Sequence, residues 1–260
     1  MKFPVVVLLV VAVYHLVLRQ NSLVEKQILQ ALETSHLSYL RTSGSVGLVL
    51  AHPDDESMFF MPTIKFVKRV LESRPDLNQN IYILTLSNGN FKGQGKTREL
   101  EFRQVCKEQG FKCNLLDVPE FQDGNDKWDT EVVKGYIANF IKANGISLIF
   151  TFDKFGVSKH PNHISTSDSV RAVEKDFPAL NVWFLTSLSL LNKYSGILSI
   201  LNSMFSRTCI ILPSSLDVYK NMQLYKSQVQ WYHPFWALLS AYSYINIFIQ
   251  SDPHEKHSDL

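Results

Sequence analysis

Five short runs of branched and aromatic apolar residues, at 46–51, 81–86, 112–118, 147–152 and 181–185, have the length and composition of buried strands. Between them lie longer stretches, 56–72, 96–109, 128–143 and 164–175, whose apolar residues recur at the three- and four-residue spacing of an amphipathic helix. Strands alternating with helices predict an α/β fold, a Rossmann-like and largely parallel sheet with helices on both faces. No internal repeat, low-complexity tract or dinucleotide-type glycine fingerprint interrupts the pattern.

Two apolar regions fall outside that alternation. The first, 3–18, is broken only by Tyr14 and His15 and is flanked by Lys2 and Arg19. It approaches the ~20 residues a spanning helix needs, and no small-x-small cleavage site follows it. The expectation is one N-terminal transmembrane helix anchoring the chain over 1–20, a juxtamembrane linker over 21–41 and a single α/β domain over 42–260, with none of the core before residue 42. Flanking charge does not orient the anchor, whereas the absence of any N-x-[ST] sequon leans towards a cytosolic domain. The second region, 188–205 and 231–249, fits either packing against the sheet or a membrane-facing surface with Trp231, Tyr232, Trp236, Tyr242 and Tyr244 at headgroup level.

Composition narrows the class. A chain of 260 residues with 45% apolar content can bury one α/β core. A net charge of +2, scattered evenly, excludes a nucleic-acid-binding surface. Cys106, Cys113 and Cys209 show no C-x-x-C spacing, which points to neither a zinc knuckle nor a disulfide framework, and their odd count fits a reducing compartment.

The chemistry concentrates at two strand ends. His52-Pro53-Asp54-Asp55-Glu56 follows the first expected strand, and in an open α/β sheet ligands bind where strands end. His52 and Asp55, three apart across a turn that Pro53 forces, can converge on a divalent ion while Asp54 stays free as a base. Two adjacent acids at a helix start also serve simply as caps. The second cluster, His160-Pro161-Asn162-His163, follows the fourth strand through the loop 153–159. Together the clusters offer two histidines and a carboxylate, the three-ligand set of an open catalytic zinc site. Asp153 closes its strand as either a loop-initiating residue or a carboxylate orienting His160 or His163.

These motifs, with Leu84 to Asn90 and Gly93-x-Gly95-Lys96-x-Arg98-Glu99 between them, resemble the LmbE-like (PIG-L) zinc deacetylases from about Val46 to Phe184. The likeness is nearest to the eukaryotic branch, which acts on a glycosylated phosphatidylinositol at the second step of GPI-anchor synthesis in the endoplasmic reticulum membrane. The resemblance implies His52, Asp55 and His163 as zinc ligands, Asp54 as general base, His160 as the group that holds the oxyanion or protonates the leaving amine, and Arg98 as a substrate contact. One departure is Ser158, standing where some bacterial relatives carry an aromatic hydroxyl. Competing readings are a deacetylase of a soluble N-acetylglucosamine conjugate and a non-catalytic membrane subunit that retains the fold.

Overall fold

The structure of the protein, a computed structural model, describes residues 3–33, 44–78, 80–203, 206 and 208–251. Its strands are β1 Ser45–Leu50, β2 Ile81–Thr85, β3 Lys112–Leu115, β4 Ile146–Phe152, β5 Asn181–Leu185, β6 Cys209–Ile211 and β7 Ile245–Gln250. Its helices are α1 Phe3–Glu33, α2 Asp55–Phe59, α3 Met61–Glu72, α4 Gly95–Gln109, α5 Thr130–Asn144, α6 Gly156–Lys159, α7 Pro161–Glu174, α8 Leu190–Lys193, α9 Ser199–Ser203, α10 Ser215–Met222 and α11 His233–Leu239. The strands form one sheet in the order β3-β2-β1-β4-β5-β7-β6. The five expected strands all form and are mutually parallel, so the expected α/β class holds. Every residue of β1 and β4, the central pair that carries the two histidine motifs, is buried, as parallel strands covered on both faces must be.

Two features differ from the sequence expectation within the sheet region. The helix expected over 56–72 breaks at Phe60, where φ −115° and ψ 6° separate α2 from α3. Pro62 supplies the reason, since its ring excludes the carbonyl of the residue four before it and it has no N–H to give. The last third adds β7 antiparallel to β5, and β6 antiparallel to β7. β6 is only three residues long and β7 is interrupted by Asn246, so neither carries a clear strand period in sequence.

The amino-terminal segment is also corrected. α1 runs on through the first part of the expected linker to Glu33, while 34–41 lies outside the described residues. Val24, Ile28, Ala31 and Leu32, on one helical stripe with Ile28 four from Val24 and Leu32 and three from Ala31, are buried in the main core, so the core does begin before residue 42. Asn21 donates to the Ile211 carbonyl at 2.8 Å and accepts from its amide at 3.0 Å, fixing α1 to β6. Among the described residues no helix is long and apolar enough to cross a membrane. Removing 1–18 is expected to leave the thermal midpoint nearly unchanged. Removing 1–33 discards Val24, Ile28 and Leu32, each worth about 1.5–3 kcal/mol of burial, a large share of a typical ~5–15 kcal/mol stability. Thermal unfolding of the two truncated chains checks this, and equal midpoints would show that the second half of α1 contributes nothing.

Cysteine usage is corrected as well. Cys106, near the end of α4, and Cys113, in β3, are joined by a disulfide with Cα atoms 6.2 Å apart, leaving Cys209 buried and free. Gly110, at φ +74°, ends α4 and turns the chain straight back into β3, which brings together two cysteines that no spacing rule pairs. The argument from an odd count to a reducing compartment therefore falls, because structural disulfides belong to oxidising surroundings.

Candidate active site

The turn after β1 folds so that its acids do not cap the helix they precede. Asp54 sits at φ +92°, a conformation a non-glycine residue holds only against strain, and its side chain makes no cap hydrogen bond to α2. Asp55 instead turns back, its Oδ2 accepting from the Ala51 and His52 amides at 3.1 and 2.8 Å. Its Oδ1 lies 3.2 Å from His163 Nε2 and its Oδ2 lies 3.9 Å from His52 Nδ1. One ligand atom from each of the three buried residues lies within 4.8 Å of the others. Burial raises the Asp55 carboxyl, yet the neighbouring His163 and His52 hold it down at about 2, so it is ionised at neutral pH, as a metal ligand must be.

Each imidazole is oriented through its other nitrogen. His163 stacks on Phe152 at 4.2 Å with the rings 2° apart, and its Nδ1 meets the Gly156 carbonyl at 3.1 Å. With the Nδ1 proton donated there, the lone pair of Nε2 faces Asp55. Gly156, at φ +58°, has no room for a side chain, because a Cβ would stand 2.7 Å from His163 Cβ. His52 Nε2 lies 3.0 Å from Asn162 Oδ1 and 3.2 Å from Asp123 Oδ1, which leaves Nδ1 as the nitrogen turned towards Asp55. A His₂Asp set of buried, correctly turned donors fits a divalent ion of the zinc type.

The second histidine of the later motif has a different role. His160 Nδ1 accepts from the Asn162 amide at 3.2 Å, and burial followed by the charges of His52 and His163 pushes its pKa down to about 4. A neutral imidazole whose Nδ1 accepts carries its proton on Nε2, and is therefore a hydrogen-bond donor at pH 7. Its ring centre lies 5.0 Å from that of His52 and 5.1 Å from that of His163.

Arg98 enters from α4, donating from Nη2 to the Pro53 carbonyl at 2.7 Å and to Asp54 Oδ2 at 3.3 Å. Burial raises the Asp54 carboxyl and Arg98 opposes it, the net being about 7. A small cleft of about 70 Å³ opens beside Arg98, lined also by Gly89, Asp123 and Gln228.

Asp153 is a correction. Its carboxylate accepts from the Ser187 amide and hydroxyl at 2.7 and 2.6 Å and from the Phe155 amide at 3.0 Å, so it holds the loop that carries Gly156 and bonds neither imidazole. The orienting carboxylate is Asp123, which sequence reasoning missed. It follows β3 in an Asp-Gly turn, and only an acid beyond a strand end hinted at it. Asn162 was seen in its motif without a role. Its Oδ1 accepts from the Gly124 amide at 3.1 Å and its Nδ2 donates to the Asp126 carbonyl at 3.0 Å, tying that turn to His52. Asp123→Ala is expected to weaken metal affinity about 10- to 100-fold, measured by competition with a chelator; unaltered affinity would remove Asp123 from the role.

Three buried residues that could hold a metal ion, with the Asp54 carboxylate beside them at the carboxyl edge of a parallel α/β sheet, make up the arrangement that a metal-assisted hydrolase requires. Comparison with known proteins identifies which kind. The family model described as "PIG-L: GlcNAc-PI de-N-acetylase" matches residues 48–174. The N-acetylglucosaminyl-phosphatidylinositol de-N-acetylase of Bos taurus is 32% identical over 210 residues, covering 76% of this chain and 80% of that one. A Schizosaccharomyces pombe protein described as a probable enzyme of the same name is 34% identical over 217 residues, covering 78% and 85%. The chain belongs to the PIG-L family. Among solved structures, the N,N'-diacetylchitobiose deacetylase of Pyrococcus horikoshii shares the fold with a TM-score of 0.58 at 15% identity, over 90% of this chain and 95% of that one.

Proposed function

We propose that the protein is a metal-dependent de-N-acetylase that hydrolyses N-acetylglucosaminyl-phosphatidylinositol to glucosaminyl-phosphatidylinositol and acetate, the second step of GPI-anchor synthesis. The observation that carries this is the convergence of His52, Asp55 and His163 beside Asp54, which caps no helix and is held by Arg98, in a chain at least 30% identical to relatives bearing that name. The proposed ion is zinc, although Fe²⁺, Mn²⁺ and Co²⁺ suit the same donors. Bound there, it supplies a Lewis acid and a water acidified to a pKa near 7.

Asp54 takes the proton of the attacking water as the new C–O bond forms on the acetyl carbon. His160 donates its Nε2 proton in a hydrogen bond to the developing oxyanion, a contact whose loss commonly costs about 3 kcal/mol of barrier. The C–N bond then breaks as the oxyanion collapses and the leaving amine takes the proton that Asp54 holds, giving amine and acetate and restoring the Asp54 carboxylate. Arg98 holds Asp54 in place through Oδ2, and with Asp123 and Gln228 offers the sugar hydroxyls polar partners in the adjoining cleft.

The lipid substrate carries a membrane location with it, proposed as the endoplasmic reticulum membrane, with the apolar first half of α1 as the attachment. The Cys106–Cys113 disulfide removes the cysteine argument for a cytosolic domain. The test is incubation of the detergent-solubilised full chain with N-acetylglucosaminyl-phosphatidylinositol, with metal analysis of the same sample. Acetate release with about one ion per chain is expected. Turnover of soluble N-acetylglucosamine conjugates alone would favour the soluble-substrate reading.

A further inference from the structure

The last third folds into more than core. Tyr242, Tyr244 and Ile245 are buried and Trp236 is half-buried, so the packing reading holds for those rings. The same segments nonetheless turn large apolar side chains to solvent: Leu190, Leu191 and Leu198 on one side, Trp231, Phe235 and Leu238 on the other, with Leu191 86% and Trp231 81% exposed. The two sides form one face, because Gly196, at φ +52°, is packed so closely on the backbone of Leu238 that a Cβ would meet its carbonyl at 3.2 Å. A contiguous apolar face of this kind on folded backbone marks an interaction surface.

Its occupant follows from charge, position and continuity. In a chain with 19% charged residues, 227–251 contains no Asp, Glu, Lys or Arg, and 187–206 contains only Lys193, whose ammonium lies 5.2 Å from the Trp236 ring centre. No charged rim exists on these segments to pair with a protein partner, whereas Trp, Tyr and a lysine stem suit the boundary between acyl chains and headgroups. The face lies at the site: Trp236 meets Phe59 at 5.8 Å between ring centres, and Phe59 meets the ligand His163 at 6.0 Å. It also adjoins the amino-terminal helix, since Val17 of α1 packs with Leu188 and Ile200 on the cluster around Ile211 and Tyr244.

We propose that the surface formed by 190–201 and 231–239 is an interfacial lipid-binding face that seats in the headgroup–acyl boundary of a bilayer and brings the cleft down to a membrane-embedded substrate. The choice of a bilayer as occupant rests on the lipid-substrate reading above. The face does work that α1 cannot do alone: a tether holds the domain near the membrane, while the face sets which edge of the sheet points at it.

The test uses the full chain reconstituted with phosphatidylcholine vesicles brominated on the acyl chains near the headgroup. Trp231 fluorescence, isolated as the difference from Trp231→Phe, is expected to be quenched, while Trp128 and Trp183 are buried and are not. The double variant Leu191→Glu/Leu198→Glu is expected to hydrolyse a lipid-free N-acetylglucosaminyl-inositol phosphate at the unaltered rate. Its kcat/KM on the lipid in vesicles should fall at least about tenfold, because charge opposes seating in the boundary. An unquenched Trp231, an unchanged vesicle rate, or equal loss on both substrates overturns the proposal. Quenched Trp231 without hydrolysis of the lipid by the unaltered chain sinks the substrate reading and leaves the face standing.

Discussion

Asp54→Asn is expected to retain its metal and to lose roughly 10²- to 10⁴-fold in kcat. The replacement is isosteric and the Asp54 side chain caps no helix, so the structural cost is limited to the ion pair with Arg98, whose Nη2 can still donate to the amide oxygen. Arg98 keeps its bonds to the Pro53 and Gly89 carbonyls, so the cleft wall stays in place. What disappears is the capacity to accept a proton. Burial holds the carboxyl up, near 7, so in the unaltered enzyme kcat/KM should rise with pH as the carboxylate ionises, and a bound cation moves that limb to lower pH by favouring the anion. The limb should vanish in the variant. Metal loss in Asp54→Asn, measured by elemental analysis, would mean that Asp54 and Asp55 exchange roles.

His163→Ala is expected to abolish both metal binding and turnover. The variant removes one of the three proposed ligands, bares the Phe152 face and takes the imidazole partner from the Gly156 carbonyl, but it spares the turn after β1. Asp55→Ala is the harsher change, since the Ala51 and His52 amides lose their acceptor and each buried orphan costs about 1–3 kcal/mol. Added metal at a hundred times its dissociation constant should stabilise the unaltered chain by about 2.7 kcal/mol and His163→Ala by nothing. A full complement of metal in His163→Ala, with the same thermal gain, would falsify the ligand assignment.

Which parts of this were legible without coordinates depends on the range of the interaction. His52 and Asp55 are three apart in one turn, so a Pro-Asp-Asp sequence after a buried strand is enough to see them converge. The central strands β1 and β4 are legible for a similar reason: strands buried on both faces are largely apolar, and the intervening helices carry their own period. His160 and His163 declare themselves because a strand delivers their motif to the same edge.

The chain by itself thus determined the α/β class and the two histidine motifs, both of them properties of short segments. Only the tertiary structure decided that Asp123 rather than Asp153 orients an imidazole, because loops from different strand ends meet in space with no sequence trace of the encounter. The same holds for the Cys106–Cys113 bridge, made by a helix turning back at Gly110, and for the second half of α1, whose polar residues hide the stripe that packs on the core. In the last third the apolar content was plain from the sequence. Which rings face inward and which outward was settled by the packing of α11 and the turn after it against the rest of the fold, which buries Tyr242 and Tyr244 and leaves Trp231 and Phe235 exposed, since period alone cannot orient a run that is apolar almost throughout.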